Sequence, residues 1–96
     1  MNKIRKANIK DAPRLTDISY KAIGHWGKSD DLTITVEDIK SKIIYVLEED
    51  TIKGFYCLSQ KNKQLEKLVV DPQYTEQGIS KILWEDIRCK TSEYHF

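Results

Sequence analysis

The sequence has little cysteine, almost no net charge and no long apolar run, and each scarcity argues against a class of protein. Its two cysteines, Cys57 and Cys89, are far apart without a C-x-x-C spacing, so we expect neither a disulfide framework nor a metal site. A net charge of +1 gives no electrostatic reason to expect nucleic acid as a partner. No segment approaches the roughly 18 apolar residues of a membrane span, and the start MNKIRKANIK lacks the apolar core of a secretory signal. We therefore expect a cytoplasmic protein with no membrane partner.

A chain of 96 residues with 40% hydrophobic and 32% charged residues predicts one small globular domain. Apolar residues at helical spacing predict a first helix from about Asp11 to Ile23, and a short strand is expected before it, over residues 3–7. Residues 35–38 (TVED) have the form of a capping box, which indicates a second, short helix.

The second half of the chain is rich in β-branched and aromatic residues. Three strands are predicted, over residues 43–47 (IIYVL), 54–59 (GFYCLS) and 64–70 (QLEKLVV), and polar turns join them. An amphipathic pattern then predicts a helix from about Gly78 to Lys90. The fold class that follows is α/β of the α+β kind, with a mostly antiparallel sheet of about four strands and three helices, in a single domain over residues 1–96.

The last predicted strand contains an irregularity. Leu65 and Leu68 are three residues apart, which breaks the alternation of a strand, and one extra residue near Glu66 or Lys67 restores it. This is the pattern of a β-bulge. A bulge takes backbone N–H groups out of the ladder and leaves them able to donate elsewhere.

The segment after this strand has the order of elements that is typical of an anion-binding site. The strand ends before Pro72 and a helix begins at Gly78, so the first N–H groups of that helix lack partners and carry partial positive charge. Glycine allows a ligand to come close. The alternative interpretation is a helix start with nothing bound to it.

The order of these residues resembles the GCN5-related N-acetyltransferase (GNAT) family. The strongest part of the resemblance follows the pattern L-x-x-L-x-V-D-P-x-Y-x-x-x-G-I-x-K-x-L, carried here by Leu65, Leu68, Val70, Asp71, Pro72, Tyr74, Gly78, Ile79, Lys81 and Leu83. The opening I-R-x-A-x-x-x-D-x-x-x-L is similar to the family's first strand and helix, and it is carried by Ile4, Arg5, Ala7, Asp11 and Leu15. The segment W-G-x-S at residues 26–29 is similar to a loop of some small bacterial members.

The resemblance implies acetyl-CoA as cosubstrate and a set of residues that bind it. The fourth strand would offer main-chain groups to the pantetheine arm, with amides near Leu68 and Val69 polarising the thioester carbonyl. The following loop and helix start would hold the pyrophosphate. The implied binding residues are Leu68, Val69, Val70, Thr75, Glu76, Gln77, Gly78, Ile79, Ser80 and Lys81.

The chain departs from the family pattern in four places. Thr75 stands where the family usually has Arg or Gln, Ser80 stands where it has a second small residue, and Glu76 stands where many members have glycine. The family continues after this helix with a fifth strand, a fourth helix and two closing strands. That fourth helix usually supplies the tyrosine that acts as general acid and protonates the leaving thiolate. We therefore expect a C-terminally shortened member. Tyr94 would lie at the far end of a helix roughly 20 Å long, so the general acid is not expected within one chain.

Acetyl transfer to an amine needs a base, and Glu66 at the expected bulge is the candidate. The alternative interpretation of Glu66 is a surface charge that faces Lys67 or Lys63. Trp26 is the candidate for the acceptor pocket, and it could equally cap the core.

Two functions remain open at this stage. The first is acetyl transfer from acetyl-CoA to a primary amine on a small molecule or peptide. The alternative is a catalytically impaired module that binds CoA or acts through dimerisation. An open edge on the strand that ends at Val70 suggests a homodimer in either case, and such a dimer could bring Tyr94 or His95 of one subunit toward the site of the other.

Overall fold

The computed structural model describes residues 4–26, 33–61 and 64–90, without the side chains of residues 23–26 and 90. Within these ranges the chain forms four strands and three α-helices, in the order β1 (Ile4–Lys6), α1 (Ala12–Trp26), α2 (Val36–Ser41), β2 (Ile43–Glu49), β3 (Thr51–Leu58), β4 (Leu65–Val70) and α3 (Ile79–Lys90). Two 3₁₀ turns, Ile9–Asp11 and Pro72–Gln77, precede α1 and α3. No helix in the described ranges is both long and apolar enough to span a membrane.

The strands form one antiparallel sheet in the order β1-β2-β3-β4. This confirms the predicted α+β fold with about four strands and three helices. β4 lies at an edge, since no strand of the described part of the chain pairs with its outer side.

The two faces of the sheet pack against different helices. One apolar cluster joins α1 and α2 to the sheet through Leu15, Ile39 and Phe55, and we call this side the α1 face. A second cluster joins α3 to the sheet through Tyr56 and Leu83, and this side is the α3 face. Phe55 and Tyr56 are consecutive and both fully buried. Side chains of neighbouring strand residues point to opposite faces, so both faces of β3 are covered.

The first helix begins and ends later than predicted. Asn8 caps a 3₁₀ turn, and its N–H donates to Asp11 Oδ2 at 2.8 Å, so the turn occupies Ile9–Asp11 and α1 begins at Ala12. At the other end the helix continues through Gly24 to Trp26. A glycine inside a helix costs only about 1 kcal/mol, which the rest of a fifteen-residue helix can offset. The capping box of α2 is confirmed, with the Asp38 N–H donating to Thr35 Oγ1 at 3.1 Å.

The connection between β2 and β3 is much shorter than predicted. Residues 48–53 were expected to form a turn, but the strands continue so that only Asp50, with φ 67°, separates them. Leu47 is opposite Gly54 and Glu48 is opposite Ile52. Lys53 is therefore an extra residue in β3, which makes it a β-bulge that the sequence pattern did not reveal.

Candidate functional site

The predicted bulge in β4 is confirmed. Lys67 is opposite Cys57 and Leu65 is opposite Leu58, so Glu66 is the extra residue of the strand. The bulge lies next to a buried residue of β3, because Cys57 is only 3% exposed.

The hydrogen bonds of β4 alternate between β3 and the open edge. The Asp71 N–H donates to the Lys53 carbonyl at 2.9 Å, which fixes the phase of the ladder. Main-chain groups of every second residue face the partner strand in an antiparallel pair. Those of Val69 therefore face β3, whereas those of Leu68 and Val70 face the open edge. Of the two amides expected to be free, only that of Leu68 lies on this edge.

Asp71 fixes the chain directly after β4. Its carboxylate is almost completely buried, at 1% exposure, and its Oδ1 accepts from the Gln73 N–H at 3.0 Å. The other oxygen, Oδ2, accepts from Arg14 Nη2 at 2.9 Å, and the same nitrogen donates to the Ile52 carbonyl at 2.7 Å. Asp71 thus ties the segment from Asp71 to Gly78, which we call the β4–α3 connection, to α1 and β3.

The β4–α3 connection ends in a glycine that the backbone geometry requires. Pro72–Gln77 form a 3₁₀ turn, Gly78 has φ 72°, and α3 begins at Ile79, one residue later than predicted. The Ile82 N–H donates to the Gly78 carbonyl at 3.2 Å. The N–H groups of residues 79–81 precede this bond and so have no carbonyl partner within the helix. A Cβ added to Gly78 would meet no atom within 4 Å, so the space beside Gly78 is open.

The residues predicted to bind the cofactor differ in exposure around this helix start. The side chains of Thr75, Glu76, Gln77, Ser80 and Lys81 are exposed, as is Gly78. Ile79 is buried, at 1% exposure, in the apolar cluster of the α3 face, so only its main chain could contact a ligand.

The structure places one cation at the base of the β4–α3 connection that sequence reasoning missed. Lys53 Nζ donates to Gln77 Oε1 at 3.1 Å and lies 4.9 Å from the centre of the Tyr74 ring. Glu49 Oε1 is 3.8 Å from the same nitrogen. Tyr74 packs against the apolar cluster of the α3 face. Lys53 is the extra residue of β3, and its position therefore depends on pairing register rather than on composition.

Glu66, the predicted base, lies on the opposite side of the sheet from α3. Its Oε1 accepts from Lys42 Nζ at 3.1 Å, and the Cys57 thiol donates to the same oxygen at 3.8 Å. The hydrogen bond to Glu66 raises the pKa of Lys42. Burial raises the pKa of Cys57 to about 11, so this thiol is a poor nucleophile at neutral pH. The expected partners of Glu66 were Lys67 and Lys63, whereas the ion pair that forms is with Lys42; Lys63 lies outside the described residues.

Some predicted residues fall outside the described part of the chain. Trp26 is the last residue of α1, but its side chain is not described. Tyr94 and His95 belong to residues 91–96, which are also outside the description. Among the described residues, no group of three or more His, Cys, Asp or Glu side chains is placed to hold a metal ion.

The geometry supports a binding surface built mainly from backbone. The open edge of β4 presents the main chain of Leu68 and Val70, and the β4–α3 connection leads from there to three amides that have no carbonyl partner within α3. An elongated ligand with an anionic group could lie along the edge and place its charge at the start of α3.

Comparison with known proteins identifies the family of the chain. The family model of the acetyltransferase (GNAT) domain matches residues 14–96. No curated protein matches the chain.

Several solved structures share the fold. The apo form of YjaB from Escherichia coli has a TM-score of 0.72 at 19% identity, over 94% of this chain and 66% of that one. A ribosomal-protein-alanine N-acetyltransferase from Brucella melitensis biovar Abortus has a TM-score of 0.70 at 15% identity, over 97% and 73%. A predicted acetyltransferase from Clostridium acetobutylicum, solved with acetyl-CoA, has a TM-score of 0.66 at 17% identity, over 99% and 77%. The chain thus spans only two thirds to three quarters of the length of these structures.

Proposed function

Since the chain belongs to the GNAT acetyltransferase family, we propose that it transfers an acetyl group from acetyl-CoA to a primary amine of a small molecule or peptide. The family match supports acetyl transfer in general, and a structural neighbour solved with acetyl-CoA supports this thioester as the donor. The observation that carries the proposal is the open edge of β4 that continues, through a connection fixed by Asp71, into the free amides of α3.

The backbone supplies the binding groups in this proposal. The pantetheine arm lies along the open edge, where Leu68 and Val70 offer N–H and C=O groups at alternate positions. The pyrophosphate lies at the N–H groups of residues 79–81, where the helix dipole favours negative charge. Ser80 is exposed, and its hydroxyl can add a hydrogen-bond donor. Glu76 is also exposed, so its carboxylate can point away from the phosphates into the solvent.

The chemical step requires a donor for the developing oxyanion and a base for the attacking amine, and the chain offers a group for each. The amine nitrogen attacks the thioester carbonyl carbon, the C–N bond forms, the C–S bond breaks, and CoA leaves as a thiolate that takes a proton from water. The Leu68 N–H is the donor for the developing oxyanion. Glu66 takes the proton of the attacking amine, directly or through a water molecule. Its second carboxylate oxygen has no hydrogen bond among the described residues and can accept that proton.

The test begins with binding, because it does not require the acceptor to be known. CoA at about 100 times its dissociation constant should add about 2.7 kcal/mol to the free energy of unfolding, which raises the thermal midpoint. Acetyl-CoA is then mixed with a panel of primary amines, and free thiol is followed against a control without protein. The proposal requires thiol release with at least one amine. Binding without release from any amine would favour the non-catalytic CoA-binding module, and no binding would exclude both acetyl transfer and a module that binds CoA.

The remaining expectations stay predictions. They are the homodimer, the acceptor-pocket role of Trp26, and the single domain.

A further inference from the structure

The ammonium group of Lys53 is held under the β4–α3 connection by three neighbours. The side chain is only 15% exposed, although it belongs to a strand residue near the end of the sheet. Its bulge in β3 places Nζ 3.1 Å from Gln77 Oε1 and 4.9 Å from the centre of the Tyr74 ring, with Glu49 Oε1 at 3.8 Å. Two of these neighbours, Tyr74 and Gln77, belong to the connection itself. The position of the connection is therefore coupled to Lys53.

The chemistry of lysine fixes the orientation of the Gln77 amide. An ammonium group donates hydrogen bonds and cannot accept them, so it must contact the oxygen of the amide. The Nε2 group of Gln77 is then left as a donor, and it has no hydrogen bond within the described part of the chain. Gln77 is exposed and directly precedes Gly78 and the free amides of α3. Its amide N–H₂ can thus add to the backbone donors at the helix start.

The charge of Lys53 also meets a need of this segment. The connection after Asp71, PQYTEQG, contains no Lys or Arg, and Glu76 gives it a negative charge. A pyrophosphate placed at the start of α3 would be repelled by that carboxylate. A partly buried ammonium under the same segment offsets the repulsion, and the reduced access of water makes its field stronger than that of a surface lysine.

We propose that Lys53 is a positioning residue for the pyrophosphate of CoA, because it orients the Gln77 amide as a donor and supplies the cation that the β4–α3 connection lacks. The inference rests on the proposed acetyl-CoA site. It concerns the pyrophosphate end of the ligand and leaves the thioester chemistry unchanged.

The experiment compares a ligand that contains the pyrophosphate with one that lacks it. CoA carries it, whereas pantetheine has the same thiol arm and no phosphate. Lys53→Met should raise the dissociation constant of CoA about tenfold, and it should leave that of pantetheine unchanged. The slope of CoA affinity against salt should also fall. Lys53→Arg should restore most of the affinity, and Lys40→Met, at an exposed position of α2, is the control that removes a lysine elsewhere.

Variants of Gln77 separate the orientation of its amide from the charge of Lys53. They do not disturb a buried group, because Gln77 is exposed. Gln77→Leu should weaken CoA binding three- to tenfold, since it removes the amide donor while Lys53 remains. Gln77→Glu keeps an oxygen for Lys53 and replaces the donor with an anion, so it should weaken binding more. These variants also test the proposal if Lys53→Met does not fold.

The outcomes are distinguishable from a failure of the proposed function. If the wild-type protein does not bind CoA, the acetyl-CoA site itself is wrong. If the wild type binds CoA and Lys53→Met binds it equally well, the role of Lys53 is refuted. Equal weakening of CoA and pantetheine would show that Lys53 only supports the fold, and would also overturn the inference.

Discussion

Arg14 Nη2 lies 2.9 Å from Asp71 Oδ2 and thereby joins the first helix to the residue that follows β4. Asp71 is buried, and its other oxygen holds the Gln73 N–H. The Nε of Arg14 is itself buried, with no hydrogen-bond partner in the described residues. The ion pair therefore fixes the start of the β4–α3 connection and compensates part of the cost of a partly buried guanidinium.

Replacement of Asp71 should be strongly destabilising. Asp71→Ala removes the acceptor of the Gln73 N–H and one of the acceptors of the Arg14 guanidinium, and we expect a loss of about 3 kcal/mol in the free energy of unfolding. Asp71→Asn keeps an oxygen acceptor and should cost less. Urea unfolding measures both. Asp17→Asn, which removes an exposed partner of the same arginine, is the control and should cost clearly less than Asp71→Ala. A loss in Asp71→Ala no larger than this control would contradict the argument.

Gly54 allows α3 to pack directly on β3. A Cβ at this position would lie 3.0 Å from the Val69 carbonyl oxygen, 3.1 Å from Ile79 Cγ2 and 3.2 Å from Leu83 Cδ1. Gly54→Ala should therefore force α3 away from the sheet, with a cost of about 1–3 kcal/mol in urea unfolding. Because Ile79 begins α3, CoA binding should weaken too.

The control for Gly54 is a second glycine with the opposite surroundings. Gly78 has a positive φ and no atom within 4 Å of an added Cβ, and asparagine tolerates this backbone conformation. Gly78→Asn should thus cost clearly less than Gly54→Ala. Equal losses would mean that close packing at Gly54 is not the cause.

Cys57 should make stability depend on pH in the alkaline range. Burial, and next the charge of Glu66, raise the pKa of this thiol from 9.0 to about 11. Above pH 9 the unfolded chain releases the proton while the folded chain keeps it, so stability present below pH 9 is lost as the pH rises toward 11. Relative to Cys57→Ser, which does not titrate here, the wild type should lose about 2 kcal/mol between about pH 8 and pH 10.5. Urea unfolding in reducing buffer provides the measurement, and parallel curves for the two proteins would contradict it.

The sequence was informative where a local pattern determines the geometry. Alternation along a strand is an intrinsic property of the backbone, so the three-residue step from Leu65 to Leu68 was enough to predict a bulge near Glu66 or Lys67. The pairing register then identifies Glu66 as the extra residue. The capping box at Thr35 and Asp38 was recognisable for the same reason, since its two hydrogen bonds lie within four residues.

Contacts between distant segments were beyond the same reasoning. The bulge at Lys53 depends on how β2 pairs with β3. The polar residues around it predicted a turn instead. The pairs Arg14–Asp71 and Lys42–Glu66 join residues far apart in sequence, and only the packing of helices on the sheet brings them together. Charged residues of these types are common on any surface, so their composition gave no signal.

Glu66→Gln tests the assigned base. The substitution keeps the size of the side chain and an oxygen for Lys42, but the amide cannot take a proton from the attacking amine. Acetyl transfer should fall at least 10²-fold, since general-base catalysis contributes about 10²–10⁴. The dissociation constant of CoA should not change, because Glu66 lies on the α1 face with Cys57 and Lys42, whereas the free amides belong to α3. Glu37→Gln, at an exposed position of α2, is the matched control and should retain full activity. Full activity in Glu66→Gln would show that another group, or water alone, removes the proton, and that the pair with Lys42 is only structural.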